Sequence, residues 1–214
     1  MSARKSATPS PVPVRLLRNL LGTSSAPKIK VLDVGCGDGS VVRALRTLGA
    51  EAVGIDDVLS APGEGLTAGS LASNLAYPAH SFDVVLVRGM KVYGQPGPFQ
   101  GPEVFTSTAN LLSCLRPAGR LVLFEPLELG GQAAPDAGRL NAWREHLARF
   151  PGACEVRQFR DGLGFLLGFK WLLGEKRIKA TIVSMTIPTQ SISRLEWHRI
   201  VRDILIGKTK RGAA

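Results

Sequence analysis

Residues 31–40 read Val-Leu-Asp-Val-Gly-Cys-Gly-Asp-Gly-Ser, and no other stretch constrains the fold as strongly. A β-branched run from Ile29 to Val34 breaks at Gly35, glycine recurs at 37 and 39, and an amphipathic pattern begins at Ser40. Glycines let the backbone take positive φ angles and approach a ligand closely, and a helix start offers unpaired N–H groups. A buried strand handing over to a helix through such a loop belongs to an open parallel sheet whose ligand sits at the strand ends. Asp33, at the strand end, adds a site for a cationic or hydroxylated group. Asp56, one strand–helix–strand unit later after Gly54-Ile55, is placed to hold ribose hydroxyls.

The surrounding pattern agrees. Ser40 to Leu48 is helical, with Val41, Leu45 and Leu48 on one face and Gly49 as its stop. Ala52 to Ile55 is a short strand. Pro62, Gly63 and Gly65 forbid a long helix between Asp57 and Gly69, so that stretch is a loop with a weak strand near Leu66 to Ala68. Phe82 to Val87 and Arg120 to Phe124 are buried strands flanking a helix over Pro102 to Leu115. Strand and helix thus alternate through 29–125, which implies a parallel sheet with right-handed crossovers. Beyond it come a helix capped by Asp136 with Leu140, Trp143, Leu147 and Phe150 in register, and then two strands at Glu155 to Phe159 and Ile178 to Ile187. The last helix runs from Ser193 to Ile206, with Ser193 and Glu196 as a capping box and Ile192 stapled to Trp197. Pro13 to Leu21 reads as a short amphipathic helix after a Ser/Ala/Pro-rich tail over 1–12.

The spacing discriminates between cofactors. A dinucleotide fingerprint is G-x-G-x-x-G or -A, whereas here the glycines are 35, 37 and 39 and position 40 is Ser. A pyrophosphate would share the loop with Asp33 and Asp38, which is unfavourable, while a sulfonium cofactor bearing an ammonium group welcomes both. Four blocks then resemble the class I S-adenosylmethionine-dependent methyltransferases of small-molecule type: VLDVGCGDGS (31–40), AVGIDD (52–57), SFDVVLVRG (81–89) and LRPAGRLVLFEP (115–126). The resemblance implies an α/β, Rossmann-like, seven-stranded and mostly parallel sheet with an antiparallel last strand, helices on both faces and an extra C-terminal helix. It implies S-adenosyl-L-methionine as cofactor, with Asp33, Gly35, Gly37 and Gly39 around its methionine part, Asp56 on its ribose, and Asp57 and Val58 beside its adenine. Cys36 fills the loop, and Leu71 and Arg88 complete the cofactor side. Ser70 stands where the family often has Asp, and its hydroxyl accepts a hydrogen bond more weakly than a carboxylate. Ala118 replaces the second glycine of the usual Pro-Gly-Gly turn.

The acceptor side falls to the loops 88–101, 125–136 and 161–176. Arg88, Lys91 and Tyr93 follow the fourth strand and Glu125 ends the fifth; Arg88, Tyr93 and Glu125 are the catalytic candidates. His80, His146 and His198, and Trp143, Trp171 and Trp197, fit structural roles better. The expected reaction is O- or N-methylation of a small or medium organic acceptor, carried out by one domain over 13–214 (cofactor core 29–126, acceptor-side elements 127–214). Methylation of RNA or protein, nicotinamide-dependent reduction and non-catalytic S-adenosylmethionine binding are the alternatives.

Charge bears on partners. The net charge is +10, with six Lys/Arg and no acid in residues 1–30, a slightly acidic centre, and twelve Lys/Arg against five acids beyond residue 150. Such ends could touch phosphate, but the Asn/Asp-Pro-Pro-aromatic motif of base-amino methyltransferases is replaced by Val87-Arg88-Gly89-Met90, which disfavours nucleic acid. The apolar run Gly162 to Gly174, followed by Lys176, Arg177 and Lys179, is too short to span a bilayer, for which roughly 20 residues are needed. It suits a cap, a homodimer surface or a peripheral membrane contact over 162–179. Cys36, Cys114 and Cys154 are too few for a disulfide framework or a metal site, and a cytoplasmic setting follows.

Overall fold

The computed structural model describes residue 17 and residues 28–59, 63–69, 77–88, 91–93, 99–124, 137–160 and 179–207. The chain forms a seven-stranded sheet. Its strands are β1 (Lys30–Val34), β2 (Glu51–Asp56), β3 (Leu66–Ala68), β4 (Phe82–Arg88), β5 (Leu115–Phe124), β6 (Ala153–Arg160) and β7 (Lys179–Thr186). They lie in the order β3-β2-β1-β4-β5-β7-β6. β1 to β5 are mutually parallel, and β7 alone runs against its neighbours, antiparallel to both β5 and β6. Among the described residues the helices are α1 (Ser40–Thr47), α2 (Pro102–Cys114), α3 (Ala137–Leu147) and α4 (Arg194–Leu205), with a 3-10 turn at Lys91–Tyr93. The expected fold class is the observed one. The N-terminal helix, the 1–12 tail and the apolar 162–174 run lie outside the described residues, apart from Leu17, which is helical and fully buried.

Two apolar layers cover the sheet, because successive strand residues point to opposite faces. Leu32, Val34, Val85, Val87, Leu121 and Leu123 face α2, α3 and α4, while Val31, Val84, Leu86 and Val122 face α1 and Leu17. Having one buried strand residue on each face is what doubly covered parallel strands require. α2 is buried well beyond the single stripe of its periodicity, Ser107, Ala109 and Asn110 included, because α4 packs over its outer side. α4 starts as its sequence dictates: the Ser193 hydroxyl accepts the Glu196 N–H at 3.2 Å, and Trp197 is completely buried.

No helix covers the β2–β3 connection among the described residues, in line with its proline and glycines. Gly63 and Leu66 close a tight bridge there instead. The Arg46 side chain reaches across from α1, donating through Nε to the Ala52 carbonyl at 2.9 Å. Its guanidinium lies against Gly65, where an added Cβ would fall 2.1 Å from Nη2.

β5 carries an irregularity that the sequence hid. Phe82 pairs with Leu115, but Val84 pairs with Arg120, so the residues between them bulge out. Ala118 sits in that bulge at φ 60 and donates its N–H to the Pro188 carbonyl at 2.9 Å. A left-handed conformation costs an L-residue with a Cβ roughly 1–2 kcal/mol. Restoring glycine, Ala118→Gly, is expected to stabilise the fold by about 0.5–1 kcal/mol after the extra freedom of glycine in the unfolded chain is offset. Urea denaturation of the two proteins at one pH measures the difference.

Candidate functional site

At the exits of β1, β2 and β4 the chain builds a cradle. Gly35, Gly37 and Gly39 all take positive φ, at 73°, 55° and 74°. Gly35 presses on the exit of β4: a Cβ there would lie 2.1 Å from the Arg88 carbonyl oxygen, so no larger residue fits. The Gly35 N–H donates to the Ile55 carbonyl at 2.9 Å, which fastens the loop to β2. Cys36 packs into the space left by Gly54, whose Cβ would otherwise fall 2.7 Å from that of Cys36. Burial, with Asp33 and Asp56 adding to it, pushes the Cys36 thiol up to about 12, so it remains protonated and serves as packing.

Three acids border the loop, and each is used differently. Asp33 is fully buried, and its carboxylate accepts Nε of Arg88 at 2.9 Å and Nη2 at 2.8 Å. The same Nη2 also donates to the Cys36 carbonyl at 3.0 Å. Burial pushes the Asp33 carboxyl up and Arg88 pulls it down; the two-pronged geometry is that of a carboxylate with a guanidinium. Asp56 is half-buried and ties two segments together: Oδ2 accepts the Gly37 N–H at 2.8 Å and Oδ1 the Val58 N–H at 2.9 Å. Each oxygen keeps a second lone pair for a further donor. Asp38 is exposed, accepts the Ser40 N–H at 2.9 Å and is thereby held below the usual carboxylate range. Gly39 at the start of α1 has no side chain to cap the helix, and Asp38 takes the Ser40 N–H in its place. Beside Asp56, Asp57 and Val58 are exposed, Val58 at 63%.

The structure thus brings Asp33, Gly35, Cys36, Gly37, Gly39, Asp56, Asp57, Val58 and Arg88 to one edge of the sheet. Ser70, Leu71 and Glu125 lie outside the described residues, as does the side chain of Lys91. The pairing of Asp33 with Arg88 has no local signature in the sequence, where Asp33 reads as a site for a cationic or hydroxylated group. Strand parity held the signal: once β1 and β4 are neighbours with Asp33 opposite Leu86, Asp33 and Arg88 share a face.

Tyr93 turns away from the cradle into the core. Its hydroxyl lies 2.8 Å from Thr108 Oγ1, which is also 2.8 Å from His146 Nε2 and donates to the Val104 carbonyl at 2.9 Å. Thr108 has a single hydrogen and gives it to Val104, so Tyr93 and His146 must both donate to Thr108. His146 is therefore the Nε2–H tautomer. Its Nδ1 is buried without a partner among the rings of Phe99, Phe105, Trp143 and Phe150. Burial raises the Tyr93 hydroxyl well above its usual range, so it does not serve as a base near neutral pH. No local signal in the sequence marks this chain, because its members lie 15 and 38 residues apart.

Burial, assisted by Arg149, pulls the His146 imidazole down to about 3 from an ordinary 6.5. Folded protein thus refuses a proton that the unfolded chain takes up below pH 6.5. The contribution of His146 to stability is fully present above that pH and is lost as pH falls toward 3, by about 1 kcal/mol per unit. His146→Phe is expected to have a shallower loss of stability than the wild type between pH 6 and pH 4, whatever its offset at pH 7; denaturant melts at several pH values give the slopes.

Comparison with known proteins places the chain in a family. Residues 11–160 match a family described as a methyltransferase domain. No curated protein sequence matches the chain. Among solved structures, an S-adenosylmethionine-dependent methyltransferase from Mesorhizobium loti superposes with TM-score 0.53 at 18% identity, covering 81% of this chain and 95% of that one. The YcgJ protein of Bacillus subtilis does so with TM-score 0.53 at 14% identity, covering 81% and 98%. A Burkholderia thailandensis 1,6-didemethyltoxoflavin N1-methyltransferase, bound to 1,6-didemethyltoxoflavin and S-adenosylhomocysteine, superposes with TM-score 0.54 at 17% identity, covering 82% and 78%. At such identities the likeness establishes the fold. With most of its length matched to the methyltransferase-domain family, the chain belongs to that family and is a class I S-adenosylmethionine-dependent methyltransferase.

Proposed function

We propose that this enzyme methylates an oxygen or nitrogen of a small or medium organic acceptor, and that the β1–α1 loop together with Asp56 holds the donor. The observation that carries the reading is the Gly37 N–H to Asp56 Oδ2 bond at 2.8 Å, which joins the glycine loop to the acid ending β2 in one cradle. The residues fit the group. Alternate glycines at positive φ keep side chains off the loop so that a ligand can approach its backbone, and Asp56 retains lone pairs for two hydroxyls. Bound there, S-adenosylmethionine supplies an electrophilic methyl group on a positively charged sulfur.

The chain's own residues bind and orient. Asp56 holds the ribose hydroxyls, the exposed Asp57 and Val58 border the adenine, and Gly35, Gly37 and Gly39 admit the methionine part. Ser70, Leu71 and Arg88 complete the donor side, as the resemblance implies. In-line displacement gains much of its rate from holding the acceptor against the methyl, for which effective molarities reach about 10⁵ M or more. A dedicated base is needed only where the acceptor is protonated at working pH. Tyr93 is committed to Thr108 and Arg88 to Asp33, so Glu125 remains the candidate base of the three. The Burkholderia neighbour, bound to 1,6-didemethyltoxoflavin, supports a small-molecule acceptor here. We place the whole reaction in one domain over residues 13–214.

Asp56→Ala is expected to weaken binding of S-adenosylhomocysteine by about tenfold or more, the value of one to two charge-assisted hydrogen bonds. Isothermal titration measures it. A screen of phenols, amines and nitrogen heterocycles for S-adenosylhomocysteine release then identifies the acceptor. Wild-type protein that binds neither S-adenosylmethionine nor its product would defeat the reading.

A further inference from the structure

The Asp33 carboxylate is fully buried, and both of its oxygens accept from the same guanidinium, which in turn is 5% exposed. Arg88 therefore cancels the charge that would draw an ammonium group to the strand end. Its Nη2 reaches past Asp33 to the Cys36 carbonyl, the same oxygen that accepts the Gly39 N–H at 3.0 Å and closes the turn of the loop. One residue further along, Gly37 donates to Asp56. A continuous set of hydrogen bonds thus runs from Asp33 through Arg88 and the Cys36 carbonyl to Gly37 and Asp56. It joins the methionine side of the cradle to its ribose side.

From this connectivity we infer that Asp33 and Arg88 are positioning residues acting as a pair: they set the shape of the glycine loop, and neither one directly grips the amino-acid part of the donor. Arg88 is then removed from the catalytic candidates, and recognition of the donor's ammonium group passes to the loop's backbone carbonyls and to acids other than Asp33. The inference rests on the proposed donor cradle and makes it more specific.

Two ligands separate positioning from direct contact. S-adenosylhomocysteine carries the amino-acid part, and 5′-methylthioadenosine lacks it but keeps the ribose and adenine. A direct ligand at Asp33 would matter to the first alone. A positioning pair matters to both, because the loop it shapes also orients Asp56. The variants are Asp33→Asn/Arg88→Met, which leaves no uncompensated buried charge, and Arg88→Lys, which keeps the charge but cannot make the fork and reach Cys36 together.

Calorimetric titration of each is expected to show both ligands weakened by about tenfold or more, with the two factors within about threefold of each other, since each tenfold corresponds to loss of one good hydrogen bond. Thermal melting of the same samples keeps the test independent of folding, and Arg88→Lys carries it if the double variant does not fold. Weakening of S-adenosylhomocysteine alone would overturn the inference in favour of direct contact, and wild-type affinity for both ligands in the folded variants would overturn it outright. Wild-type protein that binds neither ligand would instead sink the donor cradle itself.

Discussion

The buried ion pair between Asp33 and Arg88 is the contact on which the functional edge of this sheet depends. It joins the last turns of two adjacent strands beneath the glycine loop, with the partners 0% and 5% exposed. Taking both charges out of water is expensive, and the pair is retained only because the geometry is good: two-pronged, at 2.8 and 2.9 Å, with a third bond to the Cys36 carbonyl. Such a pair contributes little net stability against an apolar replacement, yet breaking one half of it costs about 3–5 kcal/mol. Its value lies in specifying one arrangement of the loop. Gly35 reinforces the same junction through its backbone, since only a residue without Cβ can sit on the Arg88 carbonyl.

Most of the architecture was legible in the sequence. β3 falls on Leu66–Ala68, as read from three residues between glycines, and α4 carries the cap at Ser193. These features follow from local chemistry: glycine and proline punctuation, period-two and period-3.6 patterns, and a serine three residues before a glutamate. Contacts between distant segments were less legible. Nothing local to Asp33 announces Arg88 55 positions later, and His146 on an amphipathic helix resembles any packing residue until Thr108 is found beside it. At Ala118 the sequence shows only a small residue where the usual turn has glycine, whereas the conformation at φ 60 makes its Cβ matter.

The two flanks of β4's exit are fastened by opposite means. On the α1 face, Arg88 uses charge and a fork of donors. On the α2–α3 face, Tyr93 uses a neutral chain through Thr108 to His146, whose imidazole burial keeps uncharged. An ionic tie suits a position beside a polar ligand, and a neutral tie suits an aromatic interior of Phe99, Phe105, Trp143 and Phe150 in which a charge has little solvation. The segment Lys91–Tyr93 between them inherits its position from both.

The strand order has a consequence for synthesis on the ribosome. β5 finds its second neighbour in β7, and among the described residues β6 pairs with β7 alone. From the moment Phe124 leaves the exit tunnel until Lys179–Thr186 follows it, the nascent chain presents β5 as a bare apolar edge and holds β6 without a partner. Exposed edges of this kind invite pairing with other chains. The interval of greatest hazard in making this protein therefore falls after its donor-side strands are complete, and a pause in translation would do most harm between β5 and β7.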